Sequence, residues 1–344
     1  MRAALLTGIS KLEIQEIEDP RIRKDSEVLL RVKKVGICGS DVHYFKTGRI
    51  GDQIIQFPFI IGHEFSAEVV DIGEKVENVK PGDLVAIDPA ISCGICDQCL
   101  IGRKHTCRNL LFLGNPKENQ GCLADYIIMP AVCCYPLQKN MSSDQGTLAE
   151  PISIGYYAVK MLNHYEINSV GILGVGPIGL SVLLNAKSTD TRRIYVTDKL
   201  NYRLNFAEGF GAVWSGNPID QDIVNDIKSK ENDLLDAVFE CCGQQEAIDQ
   251  ALKLLKPGGH LIIIGIPEQD TIHFEIHTLR RKEITIHNIR RQNECMIPAI
   301  NFIANNPWVE SLVTHKYKFD DINEAFALTS EYKDNVIKAV IEFD

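Results

Sequence analysis

The sequence predicts an α/β protein with two domains, one rich in β-strands and one built on a doubly wound parallel sheet. A chain of 344 residues corresponds to about two domains of ordinary size. Up to about residue 150, short β-branched runs are separated by Gly and Pro. From about residue 151, strand-like runs alternate with helical segments, which is typical of a parallel sheet covered by helices on both faces.

The first part of the chain reads as a series of short strands. The clearest apolar runs cover residues 27–32, 67–72 and 83–87. Turn-forming residues such as Pro81-Gly82 and Pro89 interrupt them. This pattern predicts a β-rich domain over residues 1–150.

The second part alternates between two kinds of element. The predicted strands are 169–175, 193–197, 236–239, 260–264 and 283–287, and the predicted helices are 178–187, 202–210, 219–230 and 245–255. After about residue 290, one more helix and a short strand over 336–343 end the sequence. The alternation predicts a parallel sheet over residues 151–288.

Composition and charge narrow the possible functions. With 45% hydrophobic and 24% charged residues, the sequence has an ordinary globular composition. A net charge of −10 argues against nucleic acid as a partner, because phosphate binding needs a basic face. The most apolar stretch, 170–184, is too short to span a membrane and is interrupted by glycines and Pro177.

Cysteine usage points to a reducing compartment. The chain has eleven cysteines and opens without a recognisable export signal. Thiols and metal ligands are therefore expected rather than disulfides. The default expectation is a cytoplasmic enzyme with neither a nucleic-acid nor a membrane partner.

A glycine motif predicts a dinucleotide site. Gly174, Gly176 and Gly179 stand in G-x-G-x-x-G order between an apolar strand and an apolar helix, with Pro177 and Ile178 inside the motif. The first glycine suits a tight turn, the second a close approach to a pyrophosphate, and the third helix packing against the strand. A tight turn without a ligand is the alternative, but the strand and helix around the motif favour a cofactor.

The next strand suggests which cofactor binds. It ends in Asp198, about 20 residues after Gly176, where the acceptor for a ribose 2′-hydroxyl belongs. A carboxylate there would repel the 2′-phosphate of NADP, so NAD is expected. Lys199 and Arg203 lie nearby and keep NADP open as an alternative, and Arg203 is a candidate cofactor-binding residue.

Four cysteines in one short loop predict a structural zinc site. Cys93, Cys96, Cys99 and Cys107 follow a C-x2-C-x2-C-x7-C spacing in a polar segment. Four thiolates this close can surround one Zn²⁺ and leave no open position. Free thiols and an iron–sulfur cluster are the alternatives; the gap of seven and the lack of a following Pro argue against the ferredoxin pattern.

A second set of possible ligands lies on separate segments. Cys38 follows a strand, His63 and Glu64 form part of a Gly-His-Glu triplet, and Glu150 stands at the join of the two domains. One thiolate, one imidazole and one carboxylate suit a catalytic Zn²⁺ that keeps a position open. A lone Cys or His is also common in a packed core, so spacing alone leaves this assignment open.

These motifs together resemble a known family. The segment from Cys38 to His43, the triplet at 62–64, the cysteine loop and the glycine motif occur in the order seen in zinc-dependent medium-chain alcohol dehydrogenases. The resemblance covers essentially the whole chain. Residues 35–44 and 48–52 make it most similar to the polyol branch, the sorbitol and xylitol dehydrogenases.

The resemblance implies a domain arrangement and a ligand set. A GroES-like, β-rich catalytic domain would take residues 1–150 and 289–344 and carry a zinc lobe at about 90–110, with a Rossmann domain between. Cys38, His63 and Glu64 would be catalytic zinc residues, with Glu150 nearby. Whether Glu64 or Glu150 is the direct ligand stays open, because many relatives carry another residue at the position of Glu150.

The resemblance also implies how a proton leaves the site. An alcohol polarised by zinc gives a hydride to the nicotinamide, and Ser40, the cofactor ribose and His43 would carry the released proton outward. The alternatives are that Ser40 caps the following turn and that His43 is a packing residue.

Substrate and partners are the least specified features. Tyr44, Phe112 and Arg290 are candidate substrate residues, and Arg290 is followed by a second arginine. The expected reaction is NAD-dependent oxidation of a secondary hydroxyl of a sugar alcohol to a ketose, with two Zn²⁺ per chain. The alternatives are a sugar acid such as a hexonate or a polyol phosphate, a zinc-free reductase of the same fold, or a non-catalytic NAD- and zinc-binding relative. The family commonly forms homodimers or homotetramers.

Overall fold

The chain divides into two units, and the first of them is built from both ends of the sequence. The structure is a computed structural model that describes residues 1–267 and 269–344. The first unit comprises Met1–Glu150 and Met296–Asp344, and the second comprises Pro151–Cys295.

The strands and helices are short, as expected for the many turn signals in the sequence. The strands are β1 (Arg2–Gly8), β2 (Lys11–Glu16), β3 (Glu27–Gly36), β4 (Arg49–Ile50), β5 (Gln53–Ile54), β6 (Glu64–Ile72), β7 (Leu84–Ile87), β8 (Ala90–Ile91), β9 (Leu111–Phe112), β10 (Tyr126–Pro130), β11 (Cys134–Pro136), β12 (Ser169–Leu173), β13 (Arg193–Thr197), β14 (Trp214–Gly216), β15 (Leu235–Glu240), β16 (Leu255–Ile263), β17 (Thr285–Asn288), β18 (Val313–Lys318) and β19 (Lys338–Glu342). The helices are α1 (Gly39–Thr47), α2 (Asp97–Leu100), α3 (Ser143–Thr147), α4 (Ala149–Lys160), α5 (Pro177–Lys187), α6 (Asn201–Gly209), α7 (Ile223–Lys230), α8 (Gln245–Leu254), α9 (Ile276–Lys282), α10 (Met296–Asn305) and α11 (Ile322–Ser330).

Strand β3 organises the first unit. It pairs antiparallel with β6 along one edge and with β10 and then β19 along the other. The sheet runs in the order β11-β7-β6-β3-β19-β18. Alternate residues of β3, namely Val28, Leu30 and Val32, are fully buried in the core of this unit. The final strand of the chain is therefore a direct neighbour of a strand near its start.

The second unit is a six-stranded parallel sheet in the order β14-β13-β12-β15-β16-β17. Every residue of β12 and of β15 is buried, which agrees with strands covered on both faces. The strand order reverses between β12 and β15, and ligands of such sheets bind outside the carboxyl ends of the strands at this point. The predicted fold class, α/β with a GroES-like β-rich domain and a Rossmann sheet, is confirmed.

The return of the chain to the first unit falls at Met296, whereas the sequence predicted it after residue 288. The first residue after β17 is still bonded to the sheet of the second unit. The Ile289 N–H donates to the Ile263 carbonyl at the end of β16, at 2.9 Å. No helix within the described ranges is both long and apolar enough to cross a membrane.

Candidate active site

The four lobe cysteines converge on one point. They lie around the single-turn helix α2 and a short 3₁₀ turn at Lys104–Thr106. Their sulfur atoms all lie within 4.8 Å of one another, and Cys96 Sγ is 3.6 Å from Cys99 Sγ and 3.8 Å from Cys107 Sγ. Four sulfurs on a tetrahedron with Zn–S bonds of about 2.3 Å would be separated by about 3.8 Å. The donor set therefore fits Zn²⁺.

The electrostatics of the lobe favour a bound cation. Backbone N–H groups of Arg108 and Cys99 lower the pKa of Cys96 to about 6. Burial and hydrogen bonds with the neighbouring thiols raise the pKa of Cys99 to about 11. The Cys96 thiol therefore ionises more readily than an ordinary thiol, whereas the neighbouring Cys99 thiol ionises less readily. A divalent cation would allow all of them to be thiolates.

A second group of metal donors lies at the ends of β3 and β6. Donor atoms of Cys38, His63 and Glu64 lie within 4.8 Å of one another. Cys38 stands immediately before α1, and Glu64 is the first residue of β6. One thiolate, one imidazole and one carboxylate supply three of the four ligands of a tetrahedral ion. This donor set therefore fits a Zn²⁺ whose fourth position is open.

Asp41 holds this group in position. Its Oδ2 accepts from the Cys38 N–H and its Oδ1 from the Gly62 N–H, both at 3.1 Å. Asp41 Oδ1 also lies 3.4 Å from His63 Nδ1, which leaves His63 Nε2 to serve a metal. Burial lowers the pKa of His63, but the carboxylate of Asp41 and the thiol of Cys38 raise it, and the net shift is upward.

Glu64 is paired with a buried lysine. Lys338 Nζ donates to Glu64 Oε2 at 2.6 Å and to the Ile37 carbonyl at 3.1 Å. The side chains of Lys338 and Glu64 are 2% and 1% exposed. Burial lowers the pKa of Lys338, but the charges of Glu64 and Cys38 raise it, so the net shift is upward. A Cβ on Gly36 would lie 2.7 Å from Glu64 Oε2, so a larger residue at this position would displace the carboxylate.

Glu150 is buried beside the same group but does not join it. It lies in the first turn of α4, 4% exposed. Burial, together with the charges of Glu64 and Asp88, raises its pKa to about 7, although His63 acts in the opposite direction. Of the two carboxylates that the sequence left open as the direct ligand, the geometry brings Glu64 into the donor group.

The other candidates of the first unit lie close to these residues in the chain or in space. Ser40 and His43 lie on α1, both half-buried and three positions apart, so they share one helix face. Tyr44 is buried in the core, and its hydroxyl donates to Gln53 Oε1 at 3.1 Å. Phe112 is buried in β9, with its ring centroid 5.1 Å from that of His63.

The glycine motif forms a tight strand-to-helix turn in the second unit. Gly174 has a φ of 91°, in the left-handed region, and Gly176 precedes α5, which begins at Pro177. A Cβ on Gly179 would lie 1.9 Å from the Gly174 carbonyl oxygen. The first turn of α5, which includes Ile178, therefore lies directly against the preceding loop.

Asp198 connects this turn to the next strand. Its Oδ2 accepts from the Val175 N–H and its Oδ1 from the Leu200 N–H, both at 2.9 Å. Arg203 Nη1 lies 3.7 Å from Asp198 Oδ2 and would be 3.1 Å from a Cβ on Gly176. Backbone N–H groups, a carboxylate and a guanidinium thus meet at the carboxyl ends of β12 and β13.

Arg290, the remaining substrate candidate, is exposed on the loop after β17.

Comparisons with known proteins agree with this geometry. The Alcohol dehydrogenase GroES-like domain family matches residues 24–139, and the Zinc-binding dehydrogenase family matches residues 177–305. The sorbitol dehydrogenase of Bacillus subtilis is 33% identical over 343 residues, which cover 99% of this chain and 97% of that protein. The chain belongs to the zinc-dependent medium-chain dehydrogenases.

Other relatives of this dehydrogenase act on related compounds or share its fold. The L-idonate 5-dehydrogenase of Vitis vinifera is 33% identical over 346 residues, covering 98% of this chain and 93% of that protein. A crystal structure of an Escherichia coli oxidoreductase/dehydrogenase of unknown specificity superimposes with a TM-score of 0.92 at 33% identity, covering 100% of this chain and 99% of that one. The predicted similarity to the polyol branch is confirmed, and the dehydrogenase is an oxidoreductase whose relatives act on polyols and sugar acids.

Two residues of the site were not foreseen from the sequence. Asp41 carried a weak signal, because an acidic side chain three residues after a helix N-cap, here Cys38, often accepts from the N-cap backbone N–H. Lys338 carried a clearer one, since a single charge interrupts the apolar run from Val336 to Ile341. A lysine in a buried strand needs a partner, but the sequence does not say which one.

The Lys338–Glu64 pair yields a prediction about stability. We expect K338M to lower the free energy of unfolding in urea by about 3–5 kcal/mol, because it leaves a buried carboxylate without its partner. K338R should retain most of the stability. The E64Q/K338M double variant should lose less free energy of unfolding than E64Q and K338M lose in total, since both buried charges are removed together.

The control is K11M, which removes the exposed partner of Glu13 and should leave the unfolding curve unchanged. Wild-type stability in K338M would contradict the assigned ion pair.

Proposed function

We propose that this dehydrogenase oxidises a secondary hydroxyl of a sugar alcohol to the ketose, with NAD as the acceptor and two Zn²⁺ per chain. The observation that carries the proposal is the donor group of Cys38, His63 and Glu64 in a chain whose second unit has a glycine turn and Asp198. The sorbitol dehydrogenase named above supports the substrate class.

The two metal sites have different roles in this proposal. A zinc ion bound by Cys38, His63 and Glu64 would polarise the hydroxyl of the substrate, so that the nicotinamide can accept a hydride. Asp41 fixes the orientation of His63, and Lys338 fixes that of Glu64. The lobe cysteines offer four donors and leave no open position, so that site stabilises the loop.

Ser40 and His43 move the proton. A hydroxyl both donates and accepts, and Ser40 lies two residues after Cys38, beside the metal donors. His43 is half-buried on the same face of α1, so it is able to exchange a proton with solvent. Glu150 is a further buried acid beside the donor group, and its raised pKa makes it suited to hold a proton there.

The cofactor assignment rests on Asp198. Its two oxygens already accept backbone N–H groups, which fixes the carboxylate at the end of β13. A fixed carboxylate accepts from a ribose hydroxyl and repels a 2′-phosphate. Arg203, held 3.7 Å away, is placed to contact the cofactor as well.

A sugar acid is the second candidate substrate. One relative is an L-idonate 5-dehydrogenase, and this chain carries Arg290 and Arg291 after the last strand of its parallel sheet. A guanidinium binds a carboxylate or a phosphate through two hydrogen bonds. As partners we propose a small-molecule substrate and further copies of this chain in a homodimer or homotetramer.

Zinc content and activity test the two metal sites. We expect C38A to lose one zinc equivalent and all turnover, because an open-site ligand is removed. C99S should lose the other zinc equivalent and mainly lower the melting temperature, since a structural zinc contributes folding free energy. C134A changes a buried cysteine outside both donor groups and should keep both metals. One zinc per chain in fully active wild-type protein would contradict the assignment.

Cofactor preference tests Asp198. We expect D198N to lower the ratio of kcat/KM for NAD to that for NADP by about tenfold, because it removes the charge that repels the 2′-phosphate. D220N, an exposed aspartate of the same unit, should leave the ratio unchanged. A wild-type KM for NADP equal to or below that for NAD would overturn the role of Asp198.

A substrate panel tests the reaction itself. We would compare kcat/KM for sorbitol, xylitol, galactitol, a hexonate, a polyol phosphate and ethanol in wild type and R290A. Sites that hydrogen-bond a polar substrate reject analogues lacking those groups by about 10⁴–10⁵-fold. We expect the highest kcat/KM for a polyol and a far lower value for ethanol. Preference for ethanol refutes the proposal, and an anionic preference that R290A removes would establish the second candidate. If the protein binds NAD and Zn²⁺ but turns over none of these compounds, it is a non-catalytic relative.

A further inference from the structure

Two histidine side chains meet across the last two strands of the parallel sheet. His260 Nδ1 lies 3.2 Å from His287 Nε2, and the two ring centroids are 5.4 Å apart. His260 is 6% exposed, whereas His287 is half-buried. The ring of Tyr165, from the loop after α4, packs on His260 with its centroid 4.0 Å away. The pair is therefore buried at its His260 end and open to solvent at its His287 end.

Strand β17, which carries His287, is held to the sheet by few contacts. It is the edge strand, it pairs with β16 over four residues, and none of its own residues is buried. Ile286 packs against the core under α8, and the next residue, His287, points to the opposite face. Among the described residues, the contact of His260 with His287 is the one side-chain hydrogen bond that joins β17 to β16.

This contact has room for only one proton. A neutral imidazole has one nitrogen that donates and one that accepts, whereas both nitrogens of a protonated imidazole donate. The two rings can share a hydrogen bond as long as at least one of them is neutral. When both are protonated, two N–H groups face each other and two positive charges repel. The folded arrangement therefore accepts one positive charge but not two.

The surroundings of the pair also disfavour positive charge. Burial lowers the pKa of His260, and the charges of His287 and Lys256 lower it further, while Asp236 acts in the opposite direction. Asp236 is already paired with Lys256, and its Oδ2 accepts from the Ser169 N–H at 2.8 Å. Burial lowers the pKa of His287 as well. Helices α8 and α9 pack on the other face of the sheet, so their charged side chains do not face the pair.

We propose that His260 and His287 form a pH-sensitive switch, which holds β17 on the sheet near neutral pH and releases it in acid. Both side chains resist protonation in the folded state, and a free histidine titrates at about pH 6.5. The stabilisation from the contact is therefore present above that pH and is lost as the pH falls below it. This inference does not depend on the proposed function.

Release of β17 would also affect the segment that follows it. Residues 289–295 run from this strand to Met296, where the chain returns to the first unit. The strand is thus the anchor of that segment in the parallel sheet. Acid would loosen the segment together with the strand, while the central strands of the sheet stay in place.

Hydrogen exchange, followed by mass spectrometry on the zinc-loaded full chain, measures the opening of β17 directly. Protection is the ratio of the intrinsic to the observed exchange rate at the same pH, so the pH dependence of the exchange chemistry cancels. We expect the protection of amides 285–288 to fall by about tenfold or more between pH 7.5 and pH 5.5. Amides of β12, in the middle of the same sheet, should change by less than about threefold.

Matched variants assign the effect to the pair. H260N/H287Q removes both titrating groups but keeps an amide near each of the two nitrogens, so its protection at 285–288 should change by less than about threefold. H277Q replaces an exposed histidine on α9 and should behave like the wild type. H287Q alone leaves one titrating group and should show a smaller fall than the wild type, which answers the question if the double variant does not fold.

Three outcomes overturn the proposal. Equal protection of β17 at both pH values in the wild type would mean that the contact does not hold the strand. A fall in H260N/H287Q, or in H287Q, as large as that of the wild type would assign the acid sensitivity to other groups. A fall in β12 as large as that in β17 would mean that the whole unit opens in acid, and not its edge strand.

Discussion

The antiparallel pairing of β3 with β6 and β19 is the constraint on which the candidate active site depends. In this register Gly36 lies opposite Glu64 on one side and Val340 on the other. Cys38 leaves the end of β3, Glu64 begins β6, and Lys338 begins β19, so all three are brought to one end of adjacent strands. A shift of one residue would turn every side chain of a strand to the opposite face and would separate the donors.

The second unit depends on close backbone contacts instead. Its turns approach one another at glycines, because at Gly179 and Gly265 even a methyl group would overlap the neighbouring backbone. The tight turns free N–H groups at the start of α5 and place Asp198 and Glu240 at the same edge of the sheet. Two carboxylates with different backbone partners therefore lie at the carboxyl ends of β13 and β15.

The features that could be predicted from the sequence are the local ones. The cysteine loop and the glycine motif each fall within about 15 residues, so their spacing specifies their geometry. Helix α9 was missed because none of its residues is buried, and β14 because three residues are too few for a periodic pattern. Strand β16 begins at Leu255, ahead of the predicted start at 260, because Pro257 and two glycines hide an extended segment.

The site residues that the sequence missed are the ones that act through long-range contacts. Lys338 and Glu64 are separated by 274 positions, and no local rule connects them. Which of Glu64 and Glu150 lies with the donor atoms of Cys38 and His63 likewise follows only from distances, since either carboxylate satisfies the chemistry. The sequence shows which side chains are present, whereas the pairing of strands determines which of them lie close together.

The same long-range pairing has a consequence for synthesis on the ribosome. The lobe cysteines lie within one short loop, so a metal could close that loop while most of the chain is still being made. Cys38, His63 and Glu64 also emerge early, but Lys338, the cation that pairs with Glu64, is made 274 positions later, in β19. Until β19 pairs with β3, Glu64 lacks the positive charge of Lys338, so the three candidate metal donors are present in the nascent chain before the ion pair of Glu64 forms.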